Sequence, residues 1–114
     1  AVDKVAAIAA VRRFRRALQE QGIRAERIVL FGSYADGTWH DGSDIDVVVI
    51  SPDFAGKDPW QRIRILGDAV YDVFEPIEAV AMTPEEWEAG SSLIATYARR
   101  GEVVTDEPSE GHAG

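Results

Sequence analysis

Four residues in the first half of the chain combine a turn suited to phosphate with a pair of carboxylates. Gly32 and Ser33 end one apolar run, and Asp44 and Asp46 enter another after ten intervening residues. Glycine lets the backbone approach a ligand closely, and a hydroxyl beside the amides of a helix start suits phosphate oxygens. Carboxylates two apart on a strand project from one face and can share divalent cations, of which Mg²⁺ suits their oxygens. The pattern predicts a site for a nucleoside triphosphate with its metal.

A third carboxylate is needed to hold or deprotonate an attacking hydroxyl and to bridge a second metal ion. Glu78 stands between Ile77 and Ala79 in a third apolar segment. A neighbouring strand lies only about 4.8 Å away, so a carboxylate there can reach the pair. Glu75 is the alternative, but it precedes Pro76 at the start of that segment. We expect Glu78 to complete the set.

Each half of this motif also has a purely structural explanation. An Asp-x-Asp before an apolar strand is often only a solvated strand start, and a Gly-Ser pair is usually only a turn. Here each half adjoins its own apolar run, and the two stand at a defined spacing. That combination favours the functional interpretation.

The surrounding segments read as helices and strands that position the motif. Apolar runs bounded by glycine, proline or polar residues predict strands at 27–31, 45–50 and 76–82. Apolar residues at helical spacing behind capping residues predict helices at 3–21, 58–74 and 83–100. We expect their inward side chains to be Val5, Ile8, Val11, Phe14 and Leu18, then Ile63, Leu66, Val70 and Phe74, and finally Trp87, Leu93, Ile94 and Tyr97.

The order of these elements predicts an α/β domain in which a small mixed sheet carries helices mainly on one face. A length of 114 residues suits one domain with one modest core, which we place at 1–104. Residues 105–114 are acidic and lack large apolar side chains. We expect them to form a disordered tail.

Composition narrows the possible partners. The chain has 12 basic and 20 acidic residues, a formal net charge of −8, which disfavours unspecific attraction to a nucleic-acid backbone. Cysteine is absent, and no apolar stretch approaches the roughly 20 residues that span a bilayer. We expect a cytoplasmic protein that does not bind a membrane, and the composition makes no strong case for nucleic acid, whose contact would have to be local. The cluster Arg12–Arg16 is expected to be a solvated helix rim, with an acidic partner or RNA as alternatives.

The motif Gly32-Ser33-x10-Asp44-x-Asp46 resembles the signature of the DNA polymerase beta-like nucleotidyltransferase superfamily, in particular its minimal nucleotidyltransferase branch. The contexts of both halves fit that branch, and the likeness extends from about residue 24 to 100. The resemblance implies the polymerase beta-like fold and an ATP–Mg²⁺ site. In that site Gly32 and Ser33 hold the triphosphate, Asp44 and Asp46 bind metal, and Glu78 completes the catalytic and metal-binding triad.

The same resemblance implies an acceptor. Minimal members are often antitoxins that transfer AMP from ATP to a tyrosine of a partner HEPN-type ribonuclease toxin. The short chain favours this function, since we expect no room for an acceptor domain. An alternative is a catalytically inactive module that binds a nucleotide or a partner, which Glu78 admits because the family more often has Asp there. A further alternative is transfer to a small molecule. We expect a complex with the toxin, a homodimer, or both.

Overall fold

Four strands form one mixed sheet in the order β3-β2-β1-β4 in a computed structural model that describes residues 3–106. Strand β1 is antiparallel to both β2 and β4, whereas β2 and β3 are parallel. The elements are α1 (Lys4–Glu20), β1 (Arg27–Phe31), α2 (Ser33–Asp36), β2 (Ile45–Ile50), a 3-10 turn (Pro52–Phe54), α3 (Pro59–Val73), β3 (Ile77–Met82), α4 (Pro84–Ala89), α5 (Leu93–Ala98) and β4 (Glu102–Val103). The three predicted strands are confirmed.

Side-chain caps begin the helices where the sequence predicted. The Asp3 carboxylate accepts from the amide of Ala6 at 2.8 Å. Asp58 and Thr83 each form a capping box in which the residue three positions on hydrogen-bonds back to the cap. These bonds satisfy amides that the first helical turn leaves without an acceptor.

The two long helices cover one face of the sheet, which confirms the predicted mixed α/β architecture. The main core joins α1 and α3 to the strands and contains Val11, Phe14, Leu18, Ile28, Leu30, Ile45, Val47, Val49, Leu66 and Val73. On the opposite face a smaller cluster joins the strands to α4 and α5, and it contains Val29, Val48, Ile50, Met82, Trp87, Ala95 and Ala98. Alternate residues of one strand therefore enter different cores.

The single helix predicted at 83–100 is wrong, because it is two short helices. Gly90 ends α4 in the left-handed conformation at φ 61°, and the Ser92 hydroxyl then caps α5 by accepting from the amide of Ala95. The break resets the helical phase. Trp87 is therefore buried as expected, whereas Leu93 is 83% and Tyr97 58% exposed.

Some expected inward residues of the long helices are also exposed. Val5 in α1, Ile63 in α3 and Phe74 directly after α3 lie on the surface. At 3.6 residues per turn, Val5 lies on the side of α1 away from its buried residues, and Ile63 and Phe74 lie beside the face of α3 that buries Leu66 and Val73. The apolar spacing therefore did not identify the buried face at these three positions.

Arg12 and Arg15 of the basic cluster in α1 bind the last described residues, which corrects the expectation of a solvated rim for these two, whereas Arg13 and Arg16 are exposed as expected. The Arg15 guanidinium is buried and donates to the carbonyl oxygen of Val104 at 2.9 Å and to the Asp106 carboxylate at 3.3 Å. Arg12 donates to the carbonyl oxygen of Thr105 at 3.0 Å. Of the tail expected at 105–114, residues 107–114 lie outside the described part of the chain.

Strand β4 was not predicted, because two residues give no periodic signal. Gly101 makes this strand possible: a Cβ there would overlap the carbonyl oxygen of Leu30, so the chain passes close to β1 before pairing with it. Within residues 3–106 no helix is long and apolar enough to cross a membrane.

Candidate active site

The strand register gathers the predicted site residues at one end of the sheet. The antiparallel pair β1–β2 sets Phe31 opposite Asp46, and the parallel pair β2–β3 sets Glu78 beside Asp46. Asp46 alternates with the core residue Val47, so its side chain points to the face that carries α4 and α5. Asp44 precedes β2 by one residue and lies exposed. The C-terminal end of β1 and the N-terminal ends of β2 and β3 therefore meet at the site.

Gly32 is required where it stands because its backbone lies against Asp46. Its φ of 73° is a left-handed conformation that favours glycine, and a Cβ built there would overlap the Asp46 Oδ2 atom. The sequence pattern predicted close approach to a ligand at this turn. The structure shows close approach of this backbone to the Asp46 carboxylate. Ser33 follows as the first residue of α2, so its amide lies at a helix start.

Negative charge accumulates around Asp46. Burial raises the pKa of the Asp46 carboxyl, and the Glu78 and Asp44 carboxylates raise it further. The ion pairs within residues 3–106 join other residues, namely Lys4 with Glu102, Arg15 with Asp106, and Arg62 with Glu86. Among the described residues the carboxylates of the site therefore lie close together with no side-chain ion pair of their own, and a divalent cation would relieve their repulsion.

The donor set fits Mg²⁺, although the described residues contain no preformed group of three His, Cys, Asp or Glu ligands. Mg²⁺ is typically held by one or two protein carboxylates and completes its shell with water and substrate phosphates. Asp44 and Asp46 supply two carboxylates at the start of β2, beside the turn between Gly32 and α2. A ligand shell completed by the substrate matches this arrangement.

Comparison with known proteins agrees with this geometry. The family model described as a nucleotidyltransferase domain matches residues 11–93, which is most of the chain and includes the whole motif. The protein belongs to the nucleotidyltransferase domain family. A search of curated proteins finds no match.

Two solved structures share the fold of this nucleotidyltransferase domain. A presumed nucleotidyltransferase from Sulfolobus solfataricus superposes with a TM-score of 0.69 at 12% identity, over 91% of this chain and 84% of that one. A chain of a toxin–antitoxin crystal structure with AMP-PNP superposes with a TM-score of 0.59 at 21% identity, over 89% of this chain and 76% of that one. The sequence-based resemblance to minimal nucleotidyltransferases is consistent with both.

Of the two candidate third carboxylates in this nucleotidyltransferase domain, the structure brings Glu78 to Asp46. Glu78 contributes to the raised pKa of Asp46, whereas Glu75 contributes to the raised pKa of Tyr34, whose main cause is burial. Glu75 also lies before the point where the carbonyl oxygen of Pro76 accepts from the amide of Ile45. The strand pairing thus begins after Glu75 and includes Glu78.

The aromatic residues near the turn belong to the fold. Tyr34 is buried, and the Trp39 ring stacks on it with centroids 5.5 Å apart and planes 12° apart. Trp39 thereby covers the core beside α2. His40 is exposed, and its Nδ1 lies 2.8 Å from the carbonyl oxygen of Asp41.

A cavity of about 480 Å³ adjoins the Gly32 turn, and sequence reasoning missed it. Its walls come from the end of β1, from α2 and from the α5 region, and they are Phe31, Gly32, Ala35, Asp36, Leu93, Thr96, Tyr97, Arg100 and Gly101. The Phe31 and Tyr97 rings contact each other at 5.9 Å between centroids. Tyr97 was expected in the core, so its place in a cavity had no signal in the sequence.

Proposed function

We propose that this protein transfers AMP from ATP to a tyrosine hydroxyl of a HEPN-type toxin and so acts as the antitoxin. The observation that carries the proposal is the Gly32 backbone packed against Asp46, with Asp44 and Glu78 around that carboxylate. The family assignment supports nucleotidyl transfer. The structural neighbour crystallised as a toxin–antitoxin with AMP-PNP supports the nucleotide and the kind of partner.

One set of residues binds the nucleotide donor, and another accepts the proton of the acceptor hydroxyl. The turn at Gly32 and Ser33 holds the triphosphate, and Asp44 and Asp46 hold Mg²⁺, which when bound neutralises phosphate charge and orients the reacting groups. The tyrosine oxygen attacks the α-phosphorus and forms a new P–O bond. The bond from the α-phosphorus to the bridging oxygen breaks, and pyrophosphate leaves with that electron pair. The hydroxyl proton passes to the Glu78 carboxylate.

The exposure of the site supports an acceptor carried by another protein. Asp44 and Glu78 are both exposed, so a side chain that projects from a partner can reach the attacking position beside Asp46. The cavity on the other side of Asp46, next to Phe31 and Tyr97, takes the nucleoside of the donor. Aromatic walls suit a planar base, and the volume falls within the range of small-molecule sites.

The direct test incubates the purified protein with ATP labelled at the α-phosphate, Mg²⁺ and a HEPN-type toxin taken from a neighbouring gene. The expected result is label on a partner tyrosine, located by mass spectrometry. Asp44→Asn and Asp46→Asn should each lower the transfer rate at least a hundredfold, and Glu78→Gln should do so with ATP binding retained. Glu85→Gln, which removes an exposed carboxylate from α4, is the matched control and should transfer normally.

Calorimetry separates an enzyme from a partner-binding module of the same fold. An enzyme should bind ATP in an Mg²⁺-dependent manner that Asp44→Asn abolishes. Weak ATP binding that is insensitive to Asp44→Asn, together with no label on the cognate partner, would overturn the proposal in favour of the inactive module.

A further inference from the structure

One face of α3 exposes large apolar side chains. Trp60, Ile63, Tyr71 and Phe74 have exposed fractions of 78%, 58%, 74% and 84%. Together with Gly67 they are separated by three, four, four and three residues, a spacing that places them in one row along a helix. We call this row the α3 stripe. Scattered exposed apolar residues are ordinary, whereas several in one row along a helix are a candidate interaction surface.

Two backbone features of the α3 stripe have no explanation inside the fold. A glycine weakens a helix interior, yet nothing lies within 4 Å of a Cβ built on Gly67, so no contact in the protein requires glycine there. Phe74 caps α3 at φ 60°, and it is the only non-glycine residue among 3–106 with positive φ. That conformation favours glycine, but the chain has an exposed aromatic ring 6.0 Å from Tyr71.

The α3 stripe is symmetric about Gly67. Trp60 and Phe74 each lie seven residues from Gly67, and Ile63 and Tyr71 each lie four residues from it. A two-fold axis through Gly67 would run two α3 helices antiparallel and set Trp60 against Phe74 of the second copy. Ile63 would then meet Tyr71 of the second copy. Gly67 would meet its own equivalent, where the missing side chain lets the two backbones approach.

From this symmetry we propose that two copies of the chain associate through antiparallel packing of their α3 stripes. The charged residues beside the α3 stripe are compatible with this antiparallel arrangement. Arg64 and Asp68 are exposed on the same flank, and in an antiparallel pair each flank meets the same flank of the other helix. The two-fold axis brings Arg64 within about 3 Å, measured along the helix axis, of Asp68 of the second copy. The axis makes two such contacts, and each copy supplies the cation of one and the anion of the other.

The area of the α3 stripe suits a reversible dimer. Three aromatic side chains at roughly 150–250 Å² each, with Ile63, offer on the order of 500 Å² per copy. Two copies then bury about 1,000 Å², which is near the lower bound of specific interfaces. The dimer is expected to dissociate in the micromolar range. The stripe belongs to the helix layer on the sheet face opposite Asp46, so dimerisation leaves the nucleotide site open.

Sedimentation velocity over a concentration series from about 1 to 200 µM tests the association. The wild-type protein should shift from monomer to dimer across this series, and Tyr71→Glu should weaken the dimer at least thirtyfold. Tyr97→Glu is the matched control, since it places the same charge on an exposed tyrosine of α5, and it should leave the dimer unchanged. A wild-type protein that stays monomeric at 200 µM would overturn the proposal. So would equal weakening by both variants.

Disulfide trapping tests the register of the two helices. The chain contains no cysteine, so a single engineered residue reports one contact. Gly67→Cys should give a disulfide-linked dimer on mild oxidation, because only a close approach of the two Gly67 positions allows the short Cα–Cα distance of a disulfide. A mixture of Trp60→Cys with Phe74→Cys should cross-link mainly between the two variants. Arg13→Cys, exposed on α1, is the control that should remain monomeric.

Absence of the Gly67→Cys cross-link in a protein that sediments as a dimer would reject this register. AMP transfer is measured separately on Tyr71→Glu and should continue at the wild-type rate. The dimer and the proposed activity can therefore fail independently.

Discussion

At the scale of single residues, the site is organised by a contact between a glycine and a carboxylate. Gly32 has no side chain, so its backbone can lie against Asp46. The Asp46 carboxylate also lies near the charges of Asp44 and Glu78. Both features cost folding free energy in the unliganded protein, through the large conformational entropy that a glycine loses on folding and through charge repulsion around Asp46. Such costs are typical of residues kept for chemistry.

Gly32→Ala should abolish ATP binding, because the new Cβ displaces the Asp46 carboxylate. Gly37→Ala is the matched control: Gly37 also has positive φ, at 85°, but nothing lies within 4 Å of a Cβ there. Gly37→Ala should lose about 1–2 kcal/mol of stability from its left-handed conformation, and Gly32→Ala should lose at least as much. Thermal denaturation and calorimetric ATP titration measure the two effects. ATP binding that survives in Gly32→Ala would contradict the assigned contact.

Asp46→Asn should make the protein more stable while it removes Mg²⁺-dependent ATP binding. Amide substitution removes a partly buried charge and its repulsion with Glu78 and Asp44. The expected readout at pH 7.5, in the absence of metal, is a melting temperature a few degrees above wild type. A decrease would mean that the Asp46 charge stabilises the fold, in conflict with the cause assigned to its raised pKa.

At the scale of elements, long-range side-chain bonds hold the ends of the fold in place. Arg15 joins α1 to the backbone after β4, and Arg62 joins α3 to Glu86 of α4 at 2.7 Å. Arg62 also donates to the carbonyl oxygens of Phe54 and Lys57. Arg99 lies over the Trp87 ring at 5.1 Å and donates to the Trp87 carbonyl oxygen. Arginine suits this task because its guanidinium carries five donors in one plane.

Arg15→Met should destabilise the protein by about 1–3 kcal/mol, since it leaves the Val104 carbonyl oxygen without its buried donor. Arg16→Met changes the adjacent exposed arginine of α1 and should be nearly neutral. Urea denaturation of both variants measures the difference. Equal effects of the two substitutions would show that the contacts of Arg15 with the chain end contribute nothing.

The Arg62–Glu86 pair predicts a pH-dependent term in stability. The hydrogen bond from Arg62 lowers the pKa of Glu86, and bonds to Thr83 lower it further, against the opposing effect of burial. A lowered pKa stabilises the fold above the ordinary glutamate pKa of about 4.3, and this stability is lost as pH falls below that value. Because Glu86 is 48% exposed, the contribution is at most about 1 kcal/mol.

The melting temperature of Glu86→Gln across pH 3 to 7, compared with wild type, measures this contribution to stability. The variant should melt below wild type at pH 7, and the difference should vanish towards pH 3. Glu85→Gln, an exposed neighbour on the same helix, should show no such trend. A Glu86→Gln difference that grows as pH falls would have the wrong sign for the assigned cause.

At the scale of the whole molecule, charge and shape favour protein partners over nucleic acid. The formal net charge is −8, and Arg12, Arg15, Arg62 and Arg99 make bonds inside the fold. The exposed surface offers an apolar row on α3 and, on the other side of the sheet, an acidic site beside a cavity. The two faces can serve different partners at the same time.

The protein should therefore not bind mixed-sequence RNA in the absence of a partner. At physiological salt we expect a dissociation constant above about 100 µM. Binding would then be weaker than that of unspecific nucleic-acid binders, which neutralise phosphates with basic side chains. Fluorescence anisotropy with a labelled single-stranded RNA measures it. Micromolar binding that weakens steeply with salt would instead reveal a local basic surface.

The sequence by itself determined the parts that depend on neighbours along the chain. Caps at Asp3, Asp58 and Thr83, the three apolar strands and the Gly32-Ser33 turn all rest on interactions within a few residues. The ten-residue spacing in the sequence also predicted that this turn, Asp44 and Asp46 belong to one site. These local signals determine whether a segment is a helix, a strand or a turn. The match to the nucleotidyltransferase domain family agrees with the family that the motif indicated.

Only the tertiary structure decided which distant residues meet. The parallel register of β2 and β3 brings Glu78 rather than Glu75 to Asp46, and β4 exists because Gly101 lets the chain approach β1. Apolar periodicity also could not tell the buried Leu66 from the exposed Phe74, since it marks a face without showing what covers it. The physical reason is that register and burial depend on contacts between segments far apart in the chain, which local preferences do not encode.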